Sequence, residues 1–237
     1  MIRVAAIGDI HVGPDVAGQY RERLAELPGQ ADVLLVAGDL TRHGTASEGK
    51  IAAAELEDLG VPVVAVLGNH DYHSDRQDEI AESLRAAGVT VLEGDGVVLE
   101  LAGMRVGIAG GKGFGGGFAG RCASDFGEPE MKAFVQHTKR LAAELHGALD
   151  SLDADLRICL THYSPVKDTL AGEPPEIYPF LGSYLLAEAI DDTGVALAVH
   201  GHAHKGSEKG VTPGGVRVRN VALPVVQRAY AVYCLAE

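Results

Sequence analysis

Apolar positions along the chain follow two periods. Short runs rich in Val, Ile, Leu and Ala predict strands at residues 2–7, 33–37, 62–67, 97–101, 105–109, 156–161, 195–199, 216–221 and 229–235. Between them, apolar residues recur at helical spacing, which predicts helices at 16–27, 46–59, 75–87, 129–152 and 183–191. Two of these helices carry start and stop signals. Thr45 with Glu48 reads as a capping box closed by Gly60, and Ser74 with Gln77 repeats the signal ahead of Gly88. The longest helix gathers Met131, Phe134, Val135, Thr138, Leu141, Ala142, Leu145 and Leu149 on one stripe, with His137 and His146 off it and expected in solvent.

Strands and helices alternate first, and strands then follow one another with fewer helices. The expected fold is therefore α/β: a four-layer α-β-β-α sandwich, two mixed β-sheets flanked by helices, rather than one doubly wound sheet. No internal repeat or linker interrupts the 237 residues, so a single domain over 1–237 is expected. Two stretches resist assignment, the Gly-rich 110–120 and the Pro-containing 163–180, and both follow strands.

Charge narrows the class of partner. The net charge of -13 disfavours a nucleic-acid surface, which needs a basic stripe to displace counterions, and disfavours an anionic membrane. Cys122, Cys159 and Cys234 show no CxxC spacing and read as thiols of a reducing compartment. The chain enters a strand pattern at once and no apolar run is long enough to span a bilayer, so a cytoplasmic location is expected. The pattern specifies no oligomeric state.

Five short segments concentrate chemistry: GDIH at 8–11, GDL at 38–40, GNHD at 68–71, TH at 161–162 and GHAH at 201–204. Most follow a β-branched run directly, which delivers Asp9, Asp39, Asn69, His162, His202 and His204 to one rim of a sheet. Carboxylates, imidazoles and one amide, with no thiolate, suit two divalent ions such as Mn, Fe or Zn. Each segment alone has a bland reading: a Gly-Asp turn, an Asx turn, a surface His pair. Five together, each at a strand end, favour a metal site.

In order and spacing these segments resemble the calcineurin-like metallophosphoesterase superfamily, whose pattern is D-x-H, GD, GNH[DE], H and GHxH; the resemblance runs from Asp9 to His204. It implies that Asp9, His11 and His204 bind one metal, that Asn69, His162 and His202 bind a second, and that Asp39 bridges them. It also implies in-line attack of a metal-bridging hydroxide on a phosphodiester or phosphomonoester. His70 would face the substrate as the catalytic imidazole, with Asp71 orienting its ring.

Departures narrow the branch. GDLTRHG and LGNHD lack the arginines and Glu of the protein Ser/Thr phosphatases, and Arg42 stands where purple acid phosphatases have a metal-binding Tyr. What remains resembles small bacterial phosphohydrolases related to cyclic-nucleotide phosphodiesterases. A repair-type nuclease is disfavoured by acidity. A non-catalytic interaction module would be expected to lose ligands that this chain keeps.

Other residues are weighed singly. Arg42 and His43 read equally as phosphate contacts or a surface pair; His73 is expected either to support the site from behind its ligands or to lie at the surface, and His200 to be packed and hydrogen-bonded. The segment 110–120 lacks the Lys-Ser/Thr ending of a P-loop, and is either a substrate-side loop, with Lys112, Phe114 or Phe118 near the cleft, or a flexible connection. The segment 163–180 offers Lys167, Tyr178 and Phe180 as further contacts with a small phosphate ester.

Overall fold

The computed structural model describes residues 1–236. Strand β1 (Ile2–Ile7) leads through two short helices, α1 (Gln19–Arg23) and α2 (Leu27–Gln30), to β2 (Val33–Ala37). Then come α3 (Ala46–Leu56), β3 (Val63–Val66), α4 (Gln77–Ala86) and β4 (Thr90–Leu92). A hairpin of β5 (Asp95–Leu101) and β6 (Met104–Gly111) precedes a small ribbon, β7 (Gly117–Phe118) and β8 (Arg121–Cys122). The long α5 (Pro129–Asp150), β9 (Leu156–Thr161), α6 (Tyr178–Leu181), α7 (Tyr184–Asp191) and β10 (Leu197–His200) follow. The chain continues through β11 (Lys209–Val211), β12 (Arg217–Asn220), α8 (Leu223–Val226) and β13 (Ala231–Leu235).

These strands make two large mixed sheets. One has the order β13-β1-β2-β3-β4, with β13 antiparallel to β1 and the rest parallel. The other has the order β11-β12-β10-β9-β6-β5, parallel through its middle and antiparallel at both edges. Period-two alternation explains the layers. Val4, Ala6, Val33, Leu35, Val64 and Val66 face Val106, Ile108, Ile158, Leu160 and Val199 of the second sheet. Their neighbours Ala5, Ile7, Leu34, Val36 and Ala65 face outward onto Leu24, Ala52, Leu56, Ile80 and Leu84. Helices α5 and α7 cover the far face of the second sheet through Leu145, Leu149, Leu186 and Ile190. With both faces covered, central strands can be apolar throughout, as β2 is.

The structure corrects several expected elements. The helix expected over 16–27 is broken: Gly18 is left-handed (φ 85°) and the Glu55 carboxylate takes the amides of Gly18 and Arg21, starting α1 there. The capping box at Thr45 and Glu48 forms. Ser74 does not cap α4; its hydroxyl donates to the His43 carbonyl at 2.6 Å, and the helix begins at Gln77 without a side-chain cap. Strands β4 and β11, three residues each, were too short for periodicity to register.

Candidate metal centre

The five segments meet where β1, β2, β3, β9 and β10 end. Their turns are tight enough to force unusual backbone. Asp9 (φ 57°), His11 (φ 44°), Asp39 (φ 51°) and His202 (φ 70°) are left-handed, a region that non-glycine residues occupy at a cost. Two glycines are required by close approach: a Cβ on Gly68 would collide with the Asp39 carboxylate, and one on Gly201 with that of Asp9.

Two donor groups result. Ligand atoms of Asp9, His11, Asp39 and His204 lie within 4.8 Å of one another, and so do those of Asp39, His162 and His202. Asp39 belongs to both. Asn69 joins the second group, its Oδ1 2.9 Å from His162 Nε2. His162 Nδ1 donates to the Ala37 carbonyl at 2.9 Å, so in the neutral ring the Nε2 lone pair faces Asn69 Oδ1 and, at 3.4 Å, Asp39 Oδ1. Lone pairs that converge in this way want a cation between them. His202 Nε2 faces the Phe180 carbonyl at 3.2 Å, which leaves Nδ1 for an ion. In the first group, His11 Nε2 is buried with no hydrogen-bond partner among the described residues. The donor set, carboxylates and imidazoles with one amide oxygen, therefore fits divalent metal ions.

Electrostatics agree with the geometry. Asp9 and Asp39 are 2% and 1% exposed, and their paired neighbours are imidazoles. Burial pushes Asp9 upward, but hydrogen bonds from His204 Nε2 (2.9 Å) and from the His202 amide counter it, and Asp9 is held below the usual range. The same hydrogen bond raises His204. Burial pushes His202 down to about 3, which keeps its ring neutral.

The structure reassigns part of the expected role of Asp71. Its fully buried carboxylate accepts from the amides of Gly68 (2.8 Å), Leu40 (3.2 Å) and Thr41 (2.8 Å) and from the Thr41 hydroxyl (2.6 Å). It thus ties the GDL turn to the GNHD turn instead of orienting the His70 ring. That ring is set by the Arg42 carbonyl, 2.8 Å from Nδ1, and packs edge-on to His11 with centroids 4.5 Å apart. Three amide donors spend the Asp71 oxygens on backbone, which explains the difference.

The remaining candidates separate. The Arg42 guanidinium pairs with Asp15 at 3.0 Å, and His43 and His73 are exposed. His200 is buried between the Gly201 carbonyl (2.7 Å) and Thr169 Oγ1 (2.8 Å), as expected. His137 and His146 are half-buried rather than solvated; His137 packs on Phe114 with ring centroids 4.6 Å apart. From the segment 163–180 the carbonyl of Phe180 reaches the centre, while Lys167 is exposed and the Tyr178 hydroxyl donates to the Leu170 carbonyl. Phe118 packs with Leu170, Leu181 and Ala203.

A cavity of about 490 Å³ adjoins Asn69, and Lys112, Phe114, Tyr72 and Tyr163 line it. Lys112 is pushed down to about 8 by burial. Sequence reasoning passed over Tyr72 and Tyr163, although each directly follows a site segment; that adjacency was the available signal.

A model of the calcineurin-like phosphoesterase family matches residues 2–206. None of the curated proteins compared with the chain matches it. Among solved structures, the phosphopantetheinyl hydrolase of Mycobacterium tuberculosis has a TM-score of 0.70 at 17% identity, over 98% of this chain and 96% of that one. TT1561 of Thermus thermophilus has a TM-score of 0.57 at 16% identity, over 92% and 88%. A putative 5'-nucleotidase of Staphylococcus aureus has 0.58 at 14%, over 92% of this chain and 48% of that one. These likenesses are of fold; the family match spans most of the sequence, and the chain belongs to the calcineurin-like phosphoesterase family.

Proposed function

We propose that the protein hydrolyses a small phosphate ester, a phosphodiester or phosphomonoester, using two divalent ions. The observation that carries this reading is the pair of donor groups that meet at Asp39. Asp9, His11 and His204 would hold one ion, Asn69, His162 and His202 the other, with Asp39 shared. When bound, the ions supply Lewis acidity to phosphoryl oxygens and to water.

The chain's own residues do the rest. Water adds to phosphorus in line with the departing oxygen, the P–O bond breaks, and the departing oxygen needs a proton. His70 is the candidate donor, because the Arg42 carbonyl fixes Nδ1 and leaves Nε2 for that oxygen. The amide of His70 also donates to Asp39 Oδ1 at 2.8 Å, so the backbone carrying the imidazole is tied to the shared carboxylate. Asp71 is a positioning residue in this scheme, holding the two turns that present Asp39 and Asn69.

The test combines metal analysis with chromogenic phosphodiesters and phosphomonoesters. Bound divalent metal and hydrolysis that is lost on chelation and restored by Mn²⁺ are expected. No bound metal and no hydrolysis with added Mn²⁺ would favour an interaction module and overturn the reading.

A further inference from the structure

The cavity beside Asn69 contains a cation that metal binding does not explain. Lys112 Nζ lies 5.0 Å from the ring centroids of Tyr72 and Phe114 and 5.3 Å from that of Tyr163. Its polar neighbour is the Gly113 carbonyl, at 3.4 Å, and it forms no ion pair among the described residues. This is unusual in a chain of net charge -13, where carboxylates are plentiful. Two of them, Glu93 and Glu144, line the same cavity, yet each faces an arginine instead: Arg85 at 3.2 Å and Arg140 at 3.9 Å.

Three aromatic faces offset part of the cost of withdrawing an ammonium from water, but beyond the long bond to the Gly113 carbonyl they leave two of its three hydrogen-bond donors unspent. An anion that entered the cavity would find a strong partner, because charge-assisted bonds gain strength where water is excluded. The volume, about 490 Å³, exceeds what a lone phosphoryl group needs, and Leu67, Leu92 and Leu186 supply apolar wall for a small organic body. Tyr163 connects the cavity to the centre, its ring centroid 4.4 Å from that of His202.

We propose that this cavity receives the organic substituent of the phosphate ester and that Lys112 pairs with a second anionic group on it, a carboxylate or a phosphate. The inference rests on the phosphoesterase reading above and names its substrate class: small esters that are anionic at both ends.

Phosphonates that cannot be hydrolysed test it by calorimetry on the metal-loaded protein. The probes are 2-carboxyethylphosphonate against propylphosphonate, and 4-carboxybutylphosphonate against pentylphosphonate, two tether lengths that each differ by one carboxylate. For at least one length the carboxylate ligand is expected to bind about tenfold more tightly to the wild type. Lys112→Met should bring that ratio near one, and Lys112→Arg should keep it. No preference in the wild type would overturn the proposal. So would a preference that survives in Lys112→Met, since the carboxylate would then be held by metal. Hydrolysis of a chromogenic ester by the same preparation separates the two readings. Turnover without the carboxylate preference defeats only the inference, whereas the preference without any turnover defeats the phosphoesterase reading and leaves an anion-binding cavity.

Discussion

The first sheet treats its acidic residues in opposite ways at its two ends. Where the strands begin, Asp32 meets a fixed cation: Arg3 gives it the backbone amide at 2.7 Å and a guanidinium nitrogen at 2.7 Å. Where the same strands end, Asp9 and Asp39 are almost fully buried, and the side chains paired with them are imidazoles. Buried carboxylates without a fixed cation are costly, and the left-handed turns that carry them add strain. One end is built to be stable as it stands. The other is built to be completed.

The sharpest way to break this contrast is at the carboxylate shared by both donor groups. Asp39→Asn is expected to lose both ions and to lower hydrolysis by about three orders of magnitude or more. Metal analysis beside steady-state rates checks it, and retention of both ions in the variant would refute the shared role. His70→Ala should act differently, because its side chain lies outside both donor groups. It is expected to keep its metal and lose about 10²- to 10³-fold in turnover. Normal turnover in a metal-replete His70→Ala protein would remove His70 from the mechanism.

Much of this rim was legible because every segment that bears it follows a strand, and strands announce themselves by β-branched runs. Asp9 after Ile2–Ile7 and Asp39 after Val33–Ala37 are placed by that logic alone. Three of the misreadings share a cause: competition for a polar group by partners distant in sequence. Ser74 lost its capping role to a carbonyl 31 residues away, the helix over 16–27 was restarted by Glu55, and Asp71 was drawn onto Leu40 and Thr41. Local sequence carries no record of such partners. Lys112 was legible as a cleft candidate together with Phe114, but the other two rings around it, Tyr72 and Tyr163, come from separate segments and were not.

Metal removal probes the uncompleted end as a whole. With its ions chelated, the protein keeps two buried carboxylates among neutral or partly charged imidazoles, so its thermal midpoint is expected to fall. An ion present at a hundred times its dissociation constant stabilises the fold by about 2.7 kcal/mol. Thermal melts with and without excess Mn²⁺ after chelation measure this. An unchanged midpoint would mean that the rim does not bind the ion in its folded form. The same chelation should leave the cost of Arg3→Ala unaltered, because that pair shares no partner with the rim.

The smallest effect lies at the completed end. The hydrogen bond from Arg3 holds Asp32 below the usual carboxylate range, against the opposing pull of burial. Its folded pKa is therefore lower than its unfolded pKa of about 3.9. Stability from this pair is present above the unfolded value and is lost as pH falls through the folded one. Arg3 is over a third exposed, so solvent screening keeps the contribution small. Urea unfolding of wild type and Asp32→Asn over a pH series should show a small gap that closes on acidification. A gap that widened instead would place the stabilising charge elsewhere. Metal content and turnover of Asp32→Asn should match the wild type, since its partner Arg3 lies at the opposite end of the sheet from both donor groups.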